Sequence, residues 1–137
     1  MPTVADNSDH FVVHPTYALS ALLPDRDHVD RLLAELPADL EPGRVVQVLH
    51  GEEGLRILDQ RGSAHGRVAW FHRFLQNWTY YEQILGLYSE GMGNGESLTV
   101  IPCGPAERGL IASAAAAHGA HTVYYFGFNT VESVAGA

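Results

Sequence analysis

RVVQVLHGEEGLRILDQRG, residues 44–62, is the stretch whose reading decides the fold. Pro42-Gly43 turns the chain into it. Val45, Val46, Val48 and Leu49 then make residues 44–50 a strand by their β-branched and apolar content. Gly51-Glu-Glu-Gly54 leads into a short helical turn over residues 55–59, and Arg61-Gly62 breaks it. This strand and its helical exit anchor the element order on both sides.

Toward the N-terminus, residues 22–36 read as a helix. Pro24 suits its first turn, Asp25 and Asp27 favour its N-terminal dipole, and Val29, Leu32, Leu33 and Leu36 form one apolar stripe. Pro37 ends it. HFVVHPTY, residues 10–17, reads as the first strand, stopped by Pro15. Residues 1–9 are small and polar, with no basic segment and no apolar run, so they are expected to be a flexible start rather than a signal peptide.

Toward the C-terminus lies the longest periodic segment, residues 64–90. Val68, Phe71, Leu75, Trp78, Leu85 and Tyr88 recur at steps of three and four, with Phe74, Tyr81 and Ile84 beside them. The opposite face carries His65, His72, Arg73, Gln76, Tyr80 and Gln83. GMGNG, residues 91–95, closes this helix, and Ser97–Pro102 (SLTVIP) is the third strand. Pro105 opens another helix, which runs through an alanine-rich segment to a C-terminal stop at Gly119. Residues 121–128 (HTVYYFGF) are the fourth strand, and residues 129–137 a loose tail.

The expected order is β-α-β-α-α-β-α-β in one α+β domain, residues 10–128. Without the helical insertion between strands two and three it becomes βαββαβ, the ferredoxin-like split unit. Such a sheet has helices on one face and leaves the other open. Strand alternation assigns Val12, Val45, Leu49 and Ile101, with His14, Gln47 and Thr99, to that second face. This mixture is too apolar for water and too polar for core, so it calls for a cover. A second subunit or the inserted helix can supply one, and the expectation is a homodimer, with a dimeric α/β barrel as one form of it.

Composition narrows the chemistry. The 137 residues hold eight basic side chains, all arginine, against 16 acidic ones, giving a formal charge of −8. Without lysine there is no Schiff-base or phosphate-loop lysine. The negative charge disfavours nucleic acid and anionic membranes as partners. Cys103 alone forms no internal disulfide, which fits a reducing compartment, and no apolar run approaches the roughly 20 residues of a membrane span, so the cytoplasm is expected.

LHGEEGLRILDQRGSAHG, residues 49–66, an aromatic-rich helix and a late HGAHTVYYFG, residues 118–127, resemble a family of small bacterial, largely actinobacterial, general-stress-like ferredoxin-fold proteins. The resemblance is carried by His50, Gly51, Glu52, Glu53, Gly54, Asp59, Gly62, His65, Gly66, Tyr125, Phe126 and Gly127. It implies the fold and no settled chemistry. The glycine-rich residues 91–95 depart from the family pattern.

Eight histidines raise the question of metal. His10 and His14 would lie roughly 13 Å apart along a strand. His65 and His72 would lie about 10 Å apart along a helix. Neither pair fits one ion with ligand bonds of about 2 Å. His118 and His121 straddle a helix end, where a dipole contact is the simpler reading. No metal ligand set and no cofactor is expected. HGEEG, residues 50–54, is the most site-like motif: either a His50/glutamate acid–base pair with Arg56 for a carboxylate, or a glycine-dependent turn with a glutamate cap. GMGNG has the wrong order for a dinucleotide loop and reads as a connection or a lid. Cys103 reads as a small buried thiol.

The function expected is binding of a small aromatic or apolar ligand, without chemistry of the protein's own. Gln47, Glu53, Arg56, Trp70, Arg73, Tyr80, Thr99 and Tyr124 are the candidate contacts. The rival is a cofactor-independent isomerase, cyclase or lyase, with His14, His50 or His72 as acid or base and Tyr125 or Tyr124 orienting substrate. A metal- or haem-binding protein is the third reading.

Overall fold

A computed structural model of the chain describes residues 3–12, 15–36, 45–60, 78–128 and 130–134. The elements in order are β1 (Thr3–Asp6), β2 (Ala18–Leu23), α1 (Arg26–Glu35), β3 (Val45–Leu49), α2 (Gly51–Gln60), α3 (Trp78–Gly93), β4 (Ser97–Pro102), α4 (Arg108–Ala117), β5 (His121–Phe126) and β6 (Val131–Ser133). The class is α+β. The three strands expected after residue 44 form where their β-branched and aromatic residues place them.

The first expected strand is displaced. Residues 10–12 lie outside any strand, while Ala18–Leu23 (ALSALL) pairs on both sides and is buried at every position. A central strand covered on both faces shows no alternation, so its sequence reads equally well as the start of the following helix. That helix begins only at Arg26. Asp25 caps it, its side chain accepting the His28 backbone N–H at 2.9 Å. The two ends of the chain also join the sheet. Thr3–Asp6, expected to be flexible, lies parallel to β3, and Val131–Ser133, expected in the tail, pairs with β5. Neither segment has enough residues to show a period. Asn7 fastens β1: its N–H donates to the Val48 carbonyl at 2.8 Å and its Oδ1 accepts the His50 N–H at 2.9 Å.

The six-stranded sheet has the order β1-β3-β4-β2-β5-β6. β4 is antiparallel to both β3 and β2, and β2 is antiparallel to both β4 and β5. β2 and β3 therefore run parallel with β4 between them, and β4 and β5 run parallel with β2 between them. α1 and α4 pack on one face, where Val29, Leu32, Leu33, Ile111 and Ala115 meet Leu19, Val46, Val48, Ile101 and Tyr125. On the other face Ile57 and Leu58 of α2 and Ile84, Tyr88 and Met92 of α3, together with Phe11, cover Leu22, Leu49, Leu98, Val100, Tyr124 and Phe126. Full burial of each such side chain contributes roughly 1.5–3 kcal/mol.

The second face is thus covered by helices of the same chain, with α3 of the insertion among them. β4 also presents the opposite faces to those read from sequence. Val48 pairs with Thr99, and Leu49 with Leu98. Thr99 and Ile101 therefore point to α1 and α4, while Leu98 and Val100 point to α2 and α3. Alternation gives the two sets but not which set faces which layer, and a one-residue change of register exchanges them.

GMGNG ends α3 in a tight cap. Gly95 takes φ +93°, the Glu96 N–H donates to the Gly91 carbonyl at 3.1 Å, and the Gly95 N–H donates to the Met92 carbonyl at 3.0 Å. This is the Schellman pattern, which needs a left-handed residue that glycine supplies without strain. At Gly91 a Cβ would overlap the Leu22 side chain, so the absence of one lets α3 approach β2. The loop is a helix stop and a packing contact rather than a lid.

Candidate functional site

Pairing across the sheet sets one row of residues on the face beneath α2 and α3. Gln47 of β3 stands opposite Val100 of β4, Val100 opposite Ser20 of β2, and Ser20 opposite Tyr124 of β5. Directly opposed residues share a face, so three polar side chains interrupt an otherwise apolar surface along one line. α3 adds a fourth: the Tyr88 hydroxyl is hydrogen-bonded to the Ser20 hydroxyl, both residues being buried. The Tyr88 and Tyr124 rings meet edge to face, with centroids 6.4 Å apart and planes at 74°.

Gln47 is only half-buried, yet its Oε1 has no solvent contact and accepts no hydrogen bond. A buried carbonyl without a donor costs about 1–3 kcal/mol. Thr99 Oγ1 is likewise buried without a partner, but it lies on the other face at 0% exposure, sealed among α1-side residues. Of the two, only Gln47 belongs to a residue that reaches the surface. Val100 and Tyr124 keep 6% and 8% of their surface and Ser20 between them 1%, so the row is buried at every strand position but Gln47.

A second polar group stands where the C-terminal ends of β1 and β3 come together. Asp6 accepts from Arg26 Nε at 2.6 Å and Nη2 at 3.2 Å, and Arg26 Nη1 donates to Asp30 at 2.6 Å. His50 Nε2 lies 3.4 Å from Asp6 Oδ1. The Arg26 guanidinium holds the Asp6 carboxyl below the usual carboxylate range, and the two carboxylates push the guanidinium up.

The site residues expected from sequence separate as follows. Gln47 and Tyr124 share the row. Thr99 and Tyr125 are on the opposite face, where the Tyr125 hydroxyl donates to the Cys103 carbonyl at 3.1 Å and Arg108 lies 5.5 Å from its ring centroid. Burial pushes the Tyr125 phenol up. His50 sits at the sheet end, with Asp6 rather than a glutamate as its partner. Glu53 and Arg56 pair with each other on the exposed side of α2, and Arg56 also donates to Gln60 at 3.0 Å. That pairing lowers the Glu53 carboxyl and occupies the guanidinium expected to take a carboxylate. His14, Trp70, His72, Arg73 and the Tyr80 side chain lie outside the described residues.

Sequence reasoning missed Ser20 and Tyr88 in the row, and Asp6, Asn7 and Arg26 at the sheet end. A lone serine inside ALSALL was the available signal for the first, since a polar residue in an all-apolar run needs a partner. Nothing local singles out Asp6. Among the described residues no three His, Cys, Asp or Glu side chains converge on a metal position, and no helix is long and apolar enough to cross a membrane. Cys103 is buried and not in a disulfide. No protein-family model, no curated protein and no solved structure matches this chain.

Proposed function

We propose that the protein binds a small, largely apolar or aromatic molecule against the sheet face that carries Gln47, Ser20 and Tyr124, and performs no chemistry of its own there. The observation that carries this reading is the orphaned Gln47 Oε1 on a half-buried residue in a polar row. Among the described residues the row supplies hydrogen-bonding groups and aromatic edges without an activated nucleophile, a general base or a cation, which supports a binding site over a reaction centre.

The strand order supports a finer reading of the fold. Two crossovers, β2-α1-β3 and β4-α4-β5, each join parallel strands that have an antiparallel strand between them. This is the split arrangement of the ferredoxin-like βαββαβ unit, here with an added strand at each edge. It also accords with the resemblance to the small bacterial stress-type proteins. The homodimer keeps less support, because α2 and α3 cover the face that called for a partner. We take the ligand site as complete in one chain of 14.9 kDa, and light scattering at twice that mass would count against this.

Native mass spectrometry of the purified protein, followed by a thermal-shift screen of small neutral aromatics, tests the function. A co-purifying neutral molecule, or a concentration-dependent rise in melting temperature, is the expected result. A flat response across the whole screen would remove the reading.

The second reading is a cofactor-independent isomerase, cyclase or lyase. What favours it is the His50–Asp6 contact, in which a carboxylate can orient an imidazole for proton transfer. Arg26 competes for the same carboxylate, and the His50 side chain is 37% exposed. Both weaken the pair as a base. Loss of any measured turnover in His50→Gln, with binding retained, would move this reading ahead.

A further inference from the structure

The geometry points to an acyl-transfer site at the start of β5, with Thr122 as nucleophile, His121 as its base and Glu96 positioning the imidazole. It shares no residue with the row beneath α2 and α3. His118 and His121 straddle the end of α4, and each meets a carboxylate: His118 Nε2 lies 2.8 Å from Glu35, and His121 Nε2 is bonded to Glu96. His121 carries the contact onward, its Nδ1 lying 2.8 Å from Thr122 Oγ1. A carboxylate can only accept, so it takes the Nε2–H and leaves Nδ1 of the neutral ring as an acceptor. The Thr122 hydroxyl then donates to Nδ1. Carboxylate, imidazole and hydroxyl thus form one chain of hydrogen bonds, the arrangement that activates a weak alcohol nucleophile.

The backbone is shaped for this contact. Thr122 takes φ +54°, a conformation that a β-branched residue rarely adopts. It sits where β5 slips against β2: Leu22 pairs with His121 and Ser20 with Tyr124, so Thr122 and Val123 together oppose Ala21. In a regular strand His121 and Thr122 would point to opposite faces. The bulge re-aims the threonine and brings the two side chains within hydrogen-bonding distance. A non-glycine residue held left-handed is a feature that clusters at functional sites. Glu96 is fixed from its own side: its N–H donates to the Gly91 carbonyl at 3.1 Å, and its Oε1 lies 2.9 Å from where a Gly91 Cβ would stand. Its side chain is 19% exposed against 50% for His121, and Thr122 is half-buried. None of the three belongs to the apolar core clusters, so the site lies at the surface.

The substrate class is a small acyl ester. Thr122 Oγ attacks the carbonyl carbon while His121 Nδ1 takes the hydroxyl proton. The bond to the leaving alcohol breaks, and the imidazolium gives that proton to the departing oxygen. Water then attacks the acyl-threonine, Nδ1 takes one of its protons, and the same proton restores the threonine hydroxyl as the acid leaves. Glu96 holds the ring in the required tautomer and does not touch substrate.

Incubation of the full chain with p-nitrophenyl acetate, read by intact mass and peptide mapping, tests this. One acetyl group on Thr122 is expected. Thr122→Val should lack it, and His121→Gln should form it about a hundredfold more slowly. Nitrogen NMR of the histidine rings at about pH 8, where an ordinary imidazole is neutral, should find His121 as the Nε2–H tautomer in the parent. In Glu96→Ala the ring should become a mixture of tautomers, and acylation should slow with it. An Nδ1–H tautomer in the parent would overturn the relay, because the threonine hydroxyl would then be the acceptor. No acetyl group on Thr122 at millimolar ester, or one that forms equally fast in His121→Gln, would overturn the site. The tautomer is measured on the unaltered chain, so that outcome stands whether or not the variants fold.

Discussion

Two buried hydroxyls on adjacent strands differ only in whether they have a partner, and that difference predicts mutations of opposite sign. Thr99 and Ala21 are opposed across β4 and β2, and Ser20 is the next residue on the far face. Thr99 is 0% exposed and its Oγ1 bonds to nothing, while Ser20 is 1% exposed and bonds to Tyr88. Holding a hydroxyl in the interior unpaired costs about 1–3 kcal/mol on mutational scales. Thr99→Val keeps the β-branch that suits a strand and places a methyl group among Val48, Ala21 and their neighbours. The variant is expected to gain about 1–2 kcal/mol, or roughly 3–5 °C in melting temperature per kcal/mol for a chain of this size. Ser20→Ala removes a buried hydrogen bond and takes a partner from Tyr88, so it is expected to lose about 1–2 kcal/mol. Urea unfolding of both variants beside the parent, with the slope checked for constancy, measures each change directly. A Thr99→Val protein less stable than the parent would refute the reasoning, because it would mean that the threonine hydroxyl has a partner. A neutral Ser20→Ala would remove the Ser20–Tyr88 bond from the account of this face.

Gly91→Ala should destabilise by about 1–2 kcal/mol, since overlap with Leu22 outweighs the gain in helix propensity, whereas Gly93→Ala, whose Cβ would meet nothing, should stabilise by about 0.5–1 kcal/mol. Both are read from the helical circular-dichroism melt. Asp6→Asn should weaken the docking of β1 by about 0.5–1 kcal/mol, as expected for a part-exposed ion pair in a network, and speed amide exchange in residues 3–6. Because Arg26 holds the native Asp6 carboxyl below its usual value of 3.8, this contribution is present above that pH and is lost as pH falls through the native value. The stabilities of parent and variant should therefore converge in acid and differ at neutral pH. Tyr125→Phe should cost about 1 kcal/mol for the bond to the Cys103 carbonyl. It should leave ligand titrations unchanged, since Tyr125 faces away from the row.

Half of the candidate row is legible in the sequence. Gln47 interrupts RVVQVLH and Tyr124 sits in HTVYYFGF, and each lies within a strand whose position its own residues determine. Ser20 and Tyr88 were not recognised as a pair, because residues 68 positions apart meet only once β2 is laid beneath α3. Charge partners were the least legible. HGEEG suggested a histidine with a neighbouring glutamate, yet His50 meets Asp6 from the N-terminal strand, while Glu53 turns to Arg56 one helical turn away.

The sequence by itself determined what depends on neighbours along the chain. It placed β3, β4 and β5, the helix stop at Gly119, and the exclusion of lysine chemistry. These follow from β-branching, capping groups and left-handed glycines, all local effects. The tertiary structure alone decided the identity of the first strand, the recruitment of Thr3–Asp6 and Val131–Ser133, and the phase of β4. Each depends on which surface lies opposite. A hexapeptide apolar at five of its six positions becomes a strand when sheet and helices enclose it on every side, and a three- or four-residue segment becomes one only when a longer neighbour offers its edge. Alternation along a strand divides residues into two sets; pairing across the sheet settles which of those sets lies beneath α2 and α3.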